Sequence, residues 1–407
     1  MLSENTESIV IVGGGHAAAQ LCIGLAAAGL GGQVHLVCEE AELPYQRPPL
    51  SKAFLKNPAE ALQLHRPEAW YAEAGITVHR GDPAVAIDRA AHLLHLQSGA
   101  VLPYHRLVLA TGARARHLPH LPAALGNVFS LRSAADALRL RAALPEAAAV
   151  TLLGGGFIGL EIAASARALG QAVTVLESAP RLLARSVSPE LAAHVLQVHR
   201  AAGIDVQLGV AVGGFQIEGD RLQSLEVDGQ RVAVSLLVLG IGASPEDRLA
   251  HAAGLDCANG VCVDELMRTS DPAVLAIGDC ASFLPAGGGP RLRLESVPNA
   301  SEQARTALAT LQGREQAHAA LPWFWSEQGS MRLQMAGLMP ASSERFIRPG
   351  ASAASFSVLH YEGARLACVE SVNAPHDHLA ARKLLETGRS PAPDLACDAG
   401  VALKMHV

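Results

Sequence analysis

The chain has 407 residues, half of them hydrophobic and only 17% charged. That balance excludes long disordered segments, and the length suits two or three domains because a single core rarely grows so large. A net charge of -6 supplies no basic surface of the kind that nucleic-acid recognition demands.

The N-terminus carries Glu4 and Glu7 and no basic run, so no signal peptide is expected. The first motif is Ser8-Ile9-Val10-Ile11-Val12-Gly13-Gly14-Gly15-His16-Ala17-Ala18, an apolar strand entering a glycine turn and then an Ala-rich helical pattern. This first βα unit runs from Ser8 to about Gly31, and a second strand from Gln33 to Cys38 ends on Glu39 and Glu40. The order is that of a dinucleotide fingerprint: Gly13 for the tight turn, Gly15 for close approach of a pyrophosphate to a helix N-terminus, and Ala18 where a third glycine usually sits. Gln20, Gly24 and Gly29 interrupt the apolar helix well short of a membrane span.

Next comes Leu43-Pro44-Tyr45-Gln46-Arg47-Pro48-Pro49-Leu50-Ser51-Lys52. Its prolines fix a loop leaving the C-terminal edge of the sheet, where α/β ligands bind, and Arg47 and Lys52 bring positive charge there. On the residues alone the alternative is a rigid surface loop with two solvated charges. Ile76 to Val78, Ala84 to Asp88 and a hairpin from Ala91 to Val101 read as a small β-layer inserted in this domain. Leu107 to Ala113 reads as a buried strand stopping at a Thr111-Gly112 turn, and Leu131-Arg132-Ser133 precedes a helix.

The second fingerprint is Thr151-Leu152-Leu153-Gly154-Gly155-Gly156-Phe157-Ile158-Gly159-Leu160-Glu161, followed by the strand Val173-Thr174-Val175-Leu176-Glu177. Gly154 permits the turn, Gly156 the approach of a pyrophosphate, and Gly159 the packing of helix on strand. Two nucleotide units in one chain imply two cofactors that exchange something, and flavin with nicotinamide is the obvious pair. Glu161, on the first helical turn, points back over the helix start towards the nicotinamide end. Glu177 would accept hydrogen bonds from both ribose hydroxyls of NADH and repel a 2'-phosphate. Ser178, Ala179 and Pro180 follow it without an arginine, while Arg181 and Arg185 suit ribose or pyrophosphate better. NADH is therefore the expected donor.

Leu236 to Ala243, with Gly242 at its turn, closes this unit. Asp271 to Ala281 reads as a strand delivering Asp279, with Gly278 allowing close approach, and a long helix runs from the segment after Arg293 to about Leu311. From Leu321 a third domain begins with Trp323-Phe324-Trp325-Ser326 and ends in strands and a helix around His378 to Glu386. His376-Asp377-His378 has no further ligand at metal spacing, so no metal is expected.

Tyr45-Gln46-Arg47-Pro48-Pro49-Leu50-Ser51-Lys52 behind a first FAD fingerprint resembles the single-component FAD reductases that feed ferredoxins, a family with rubredoxin reductases and the reductase components of aromatic-ring dioxygenases, and the resemblance covers nearly the whole chain. It implies an α/β fold of glutathione-reductase-like architecture: two Rossmann-like domains, for FAD (residues 1–113 and 244–320) and NAD (114–243), and a C-terminal α+β domain (321–407). FAD contacts are implied for Gly13, Gly14, Gly15, His16, Ala17, Ala18 and Glu39, for Arg47, Pro48 and Lys52, and for a backbone contact at Val85. Ala110, Thr111, Gly112, Arg132, Gly278, Asp279, Ser296, Val297 and Trp325 complete that set. NADH contacts are implied for Gly154, Gly155, Gly156, Phe157, Ile158, Gly159, Glu161, Glu177, Arg185 and Gly242. Lys52 and Glu161 would meet across the flavin face, orienting the reactants without acting as general bases.

The implied activity passes hydride from NADH to FAD and then two single electrons to a [2Fe-2S] ferredoxin, which serves a haem monooxygenase or a ring-hydroxylating dioxygenase. Docking would be transient and electrostatically steered, with Arg66, Arg291, Arg293 and Arg314 as candidates, on a monomer or weak homodimer. Two other readings stay open: a rubredoxin reductase, and a flavoprotein resembling apoptosis-inducing factor with a binding role. The seven cysteines (Cys22, Cys38, Cys257, Cys262, Cys280, Cys368, Cys397) include no redox pair after the first acidic strand end, unlike disulfide reductases, and fit a reduced, cytoplasmic chain.

Overall fold

The computed structural model describes residues 7–122, 125–285 and 288–407; Glu4, one ground for the N-terminal reading, lies outside them. Contacts divide the chain into two units, the first comprising Met1–Arg47, Leu62–Arg114 and Ala243–Ala320, the second Pro48–Ala61, Ala115–Gly242 and Leu321–Val407.

The first unit is built on a five-stranded parallel sheet in the order Val274–Ala276, Arg106–Leu109, Ile9–Val12, Val34–Cys38, Thr77–Arg80. Ile9–Val12 lies at its centre and is buried along its whole length, which accounts for an unbroken apolar run where an exposed face would demand alternation. The helix His16–Ala27 packs on the helix Val297–Leu311, with Gly24 opposite the Leu308 side chain, a spacing that a larger residue would open. A separate antiparallel layer of Ala84–Asp88, Leu93–Leu96 and Val101–Pro103 forms where the later alternating segments lie, whereas the Ile76 to Val78 segment, expected in that layer, pairs parallel with Val34–Cys38 as the edge strand Thr77–Arg80. The strand expected to stop at the Thr111-Gly112 turn pairs in this sheet as Arg106–Leu109. The Ala110 amide still donates to the Val12 carbonyl at 2.8 Å, and then Gly112, at φ +75, turns the chain.

The second unit repeats the parallel plan in the order Asp205–Leu208, Val173–Glu177, Val150–Leu153, Leu236–Leu239, Val128–Phe129. It also carries an antiparallel layer, Val212–Glu218, Arg221–Val227 and Gln230–Ala233, that the sequence reading did not anticipate. Register shifts between Gly213 and Ile217 break the alternation by which such a strand is recognised. A five-stranded antiparallel sheet, ordered Trp323–Gln328, Met331–Gly337, Arg365–Val372, Phe356–Glu362, Glu344–Pro349, packs under the helix Pro375–Glu386. The Pro48–Ala61 segment, with its Pro-Pro-Leu-Ser-Lys sequence, folds with this unit and lies against the helix Phe157–Ala168.

Candidate functional site

Each parallel sheet ends its central strand in the same device. Gly13 has φ +123, and a Cβ there would run into the Ala110 carbonyl; Gly154 has φ +106, and a Cβ there would run into the Gly240 carbonyl. Only glycine fits either turn. Two residues on, the surroundings open: a Cβ at Gly15 would meet nothing within 4 Å, and one at Gly156 only the Gly240 oxygen at 3.7 Å. Gly15 and Gly156 are also the N-caps of the helices His16–Ala27 and Phe157–Ala168, and neither helix start has a side-chain cap. By contrast, Ser133, Ser188 and Ser296 each cap a helix through the hydroxyl. Two helix N-termini are thus left with first-turn amides and dipole facing open space, the arrangement that receives a phosphate anion.

Around the first turn, Gly278 (φ +78) comes so close to Ala17 that a Cβ would sit 3.1 Å from the Ala17 methyl, and its amide donates to Gln303 Oε1 at 2.7 Å. Asp279 follows, near enough to His16 and Arg47 to act on both electrostatically. His16 Nε2 lies 2.9 Å from Ser301 Oγ and its ring stands edge-on to His65. Burial and the neighbouring His65, opposed by Asp279, lower its pKa to about 4, so the ring is neutral. Arg47 pairs with Glu40 at 2.6 Å and with the Tyr45 hydroxyl, fixing the loop's start. Thr111 Oγ1 donates to the Glu246 carbonyl at 2.6 Å. Glu39 is exposed at its strand end, Ser296 caps the helix that begins at Val297, and Val85 stands 55% exposed on the antiparallel layer. Pro48, Lys52, Arg132 and Trp325, also expected at the flavin, fold with the second unit; the Arg132 amide is held by the Asp136 carboxylate.

In the second unit the central group is Glu161, 7% exposed; it was expected on the first helical turn and stands just past it, as the fifth residue of the helix Phe157–Ala168. Its Oε2 accepts from Lys52 Nζ at 2.7 Å and from Ser51 Oγ at 2.5 Å, and its Oε1 accepts from Ser326 Oγ at 2.7 Å. Ser165, one turn further along the same helix, donates to the Ser51 carbonyl at 2.6 Å, so one helix grips the proline loop twice. Lys52 Nζ also donates to the Pro48 carbonyl at 3.1 Å. Three donors on one carboxylate keep it oriented and leave the lysine charge compensated. Glu177 accepts from the Gly155 amide at 2.6 Å and the Ala179 amide at 2.7 Å, which brings its carboxylate to the glycine turn. Arg181 is committed to the Ala184 and Val187 carbonyls, whereas Arg185 is exposed. Phe157 packs edge-on against Phe324, Ile158 is exposed beside it, and Gly242 turns at φ +97 after Leu236–Leu239. Trp325 lies 5.7 Å from Trp323, centroid to centroid.

Ser51, Ser326, Gln328 and His199 were not singled out from the sequence. The one signal for the pair in the strand is the alternation Trp323, Trp325 against Ser326, Gln328, which sets polar residues on a face that is buried.

The residues present fit two dinucleotides: each open glycine cradle faces an uncapped helix start, and each adjoins a strand with a carboxylate just past its end, Glu39, or at its end, Glu177. Among the described residues no helix is long and apolar enough to cross a membrane. A family model described as pyridine nucleotide-disulphide oxidoreductase matches residues 7–304, and one described as reductase C-terminal matches residues 323–407. The sequence is 40% identical to rhodocoxin reductase of Rhodococcus erythropolis over 98% of this chain and 94% of that protein. It is also 40% identical to putidaredoxin reductase of Pseudomonas putida over 98% of this chain and 96% of that protein. Among solved structures, the ferredoxin reductase for the CYP199A2 system of Rhodopseudomonas palustris has a TM-score of 0.94 at 41% identity, covering 98% of this chain and 99% of that one. The covalent putidaredoxin reductase-putidaredoxin complex gives 0.93 at 38% identity, with 98% of each chain covered. Matched along nearly its whole length in sequence and in fold, the chain belongs to the pyridine nucleotide-disulphide oxidoreductase family, in its ferredoxin reductase branch, and is an oxidoreductase that binds a flavin and a pyridine nucleotide.

Proposed function

We propose that this chain is an NADH-dependent reductase holding FAD in its first unit and delivering electrons singly to a [2Fe-2S] ferredoxin of a haem monooxygenase or ring-hydroxylating dioxygenase system. The observation that carries the reading is the pair of open, uncapped glycine turns combined with a part-buried Glu161–Lys52 ion pair near the start of the helix Phe157–Ala168. When bound, the flavin supplies the conversion between a two-electron hydride and one-electron transfers, which neither a nicotinamide nor an iron-sulfur centre performs alone.

The chain's own residues bind and orient. Gly15 and the first-turn amides from His16 onward take the FAD pyrophosphate, with Asp279 and Gly278 at the ribityl side and neutral His16 adding no charge beside it. Gly156 and the amides after it take the pyrophosphate of NADH, and Glu177 accepts its adenosine ribose hydroxyls; a 2'-phosphate would be repelled by that carboxylate. Glu161 would orient the nicotinamide carboxamide while holding Lys52, whose charge it compensates. No side chain is required to move a proton. The seven cysteines are all free, in keeping with a reducing, cytoplasmic setting, and we place the chain there as a monomer or weak homodimer.

The test is NADH-driven reduction of cytochrome c by the FAD-loaded protein. Addition of a small [2Fe-2S] ferredoxin is expected to accelerate it at least about tenfold, the scale of a dedicated acceptor over a non-specific one. Acceleration by rubredoxin and by no ferredoxin would make rubredoxin the acceptor, and no acceleration by either would defeat the electron-transfer reading.

A further inference from the structure

Behind the Glu161–Lys52 pair lies a line of buried polar side chains that none of the roles above uses. Ser326 Oγ, which donates to Glu161 Oε1, itself accepts from Gln328 Nε2 at 3.2 Å; Gln328 Oε1 in turn lies 2.9 Å from His199 Nε2. Ser326 and Gln328 are 1% exposed and His199 is 2% exposed. They come from two elements: the strand Trp323–Gln328 of the C-terminal sheet, and the last turn of the helix Pro189–Ala201.

The direction of the line is fixed by its chemistry. The amide Nε2 of Gln328 faces Ser326, so its carbonyl Oε1 faces His199 and requires the imidazole to carry its proton on Nε2. The serine hydroxyl, accepting from the amide, turns its own proton onto Glu161. Every donor along the line therefore points towards the carboxylate. Burial lowers the His199 pKa, opposed by the Gln328 bond, so the ring at the far end is neutral. A primary amide in the middle does not pass protons along, so the line cannot serve as a wire. It can orient.

The orientation matters because the other end of the carboxylate is already committed. Oε2 holds Lys52 and Ser51, both on the proline loop, and Oε1 has Ser326 as its protein donor. With Ser326 removed, the carboxylate is held through Oε2 alone and can tilt about its terminal torsion, a broad and weakly restricted one, with the lysine following it.

We propose that Ser326, backed by Gln328 and His199, is a positioning residue: it fixes the Glu161 carboxylate, and through it Lys52, in the geometry that receives the nicotinamide. The C-terminal sheet thereby completes the nucleotide site of the second unit. The same strand presents Trp323 and Trp325 on its opposite face, so it contributes to the molecule on both sides.

This inference rests on the nicotinamide reading of Glu161, and a double-mutant cycle separates the two. In FAD-loaded protein, NAD+ affinity is measured by titration calorimetry and the limiting rate of anaerobic flavin reduction by NADH by stopped flow, for wild type, S326A, S326T, E161Q and S326A/E161Q. Loss of a hydrogen bond to a charged group predicts that S326A loses about tenfold in affinity or limiting rate. S326T, which keeps the hydroxyl, is expected within about threefold of wild type, and Q328L and H199L should each lose in the same direction by about threefold. In the E161Q background S326A should change nothing further beyond about twofold. A merely structural serine would give losses that multiply in the double variant, with S326T no better than S326A, and that result overturns the proposal; so does an S326A protein equal to wild type. If E161Q itself matches wild type in both measurements, the nicotinamide reading of Glu161 fails and the positioning role falls with it.

Discussion

Glu177 is the residue that decides between the two pyridine nucleotides in this account. It already accepts the Gly155 and Ala179 amides, and a carboxylate with about four lone-pair directions retains capacity for ribose hydroxyls. Replacing it with alanine removes both the acceptors and the repulsion of a 2'-phosphate. The kcat/KM ratio of NADPH to NADH is expected to rise at least about tenfold, chiefly through the loss with NADH, and a ratio left unmoved would show that the carboxylate does not read the ribose. His378 poses a different question at the same scale. It is 1% exposed, both ring nitrogens lack a hydrogen-bond partner among the described residues, and it lies 5.6 Å from Trp323. Burial, with Arg382 and Arg332 adding to it, lowers its pKa to about 4. The unfolded chain then takes up a proton near pH 6.5 that the folded chain refuses. The stability from folding with a neutral ring is complete above about pH 6.5 and is withdrawn as pH falls towards 4, an effect of about 3 kcal/mol at most. H378L should therefore gain in Tm relative to wild type on going from pH 7.5 to pH 5, and thermal denaturation at the two pH values checks this.

The elements carry the clearest link between sequence and fold. Ile9–Val12 is a four-residue apolar run and Val150–Leu153 is apolar but for the buried Thr151; each is followed at once by glycine and becomes the central strand of a parallel sheet. They were legible because strand, turn and helix start are all local: the glycine that tolerates φ above +100 and the first residue of the helix are three positions apart. The helix Val297–Leu311 was legible for a similar reason, with Ser296 as cap and Pro298 in its first turn. What could not be read is side-chain pairing across the chain. Ser326 meets Glu161 from 165 positions away, and nothing local to a Trp-Phe-Trp-Ser strand says which carboxylate its serine will find. The Val212–Glu218 strand was hidden instead by its two adjacent glycines, which are poor strand formers, and by its irregular register. Because each glycine turn belongs to a different unit, the two should fail separately. G13V is expected to yield protein that does not retain FAD, whereas G154V should stay yellow yet lose NAD+ binding by at least about a hundredfold, the combined effect of strain and a blocked cradle. Absorbance at flavin wavelengths and NAD+ titration distinguish them, and loss of both properties from one substitution would contradict independent cradles.

For the whole chain, whose net charge is -6, attraction of an acidic ferredoxin requires local charge to outweigh the total. Of the four arginines considered for steering, Arg293 is taken up internally: its guanidinium bonds the Asp279 carbonyl and Glu295, with the side chain 8% exposed. Arg291 bonds the Val263 and Ser282 carbonyls, and Arg66 lies over Trp70. Arg314 is exposed. R314E is accordingly expected to slow ferredoxin reduction at low ionic strength several-fold, with the difference from wild type fading as salt is raised through about 0.5 M. A difference that persisted at high salt would point to a short-range contact and away from steering.

The central claim is that hydride from NADH leaves this protein as two separate electrons, and the most direct measurement is an anaerobic titration of FAD-loaded protein, in catalytic amount, with excess oxidised [2Fe-2S] ferredoxin and known additions of NADH, followed by bleaching of the iron-sulfur absorbance. Two ferredoxins should be reduced for every NADH consumed; NADH consumed without bleaching, or a flavin that NADH never reduces, would rule out single-electron delivery by this protein.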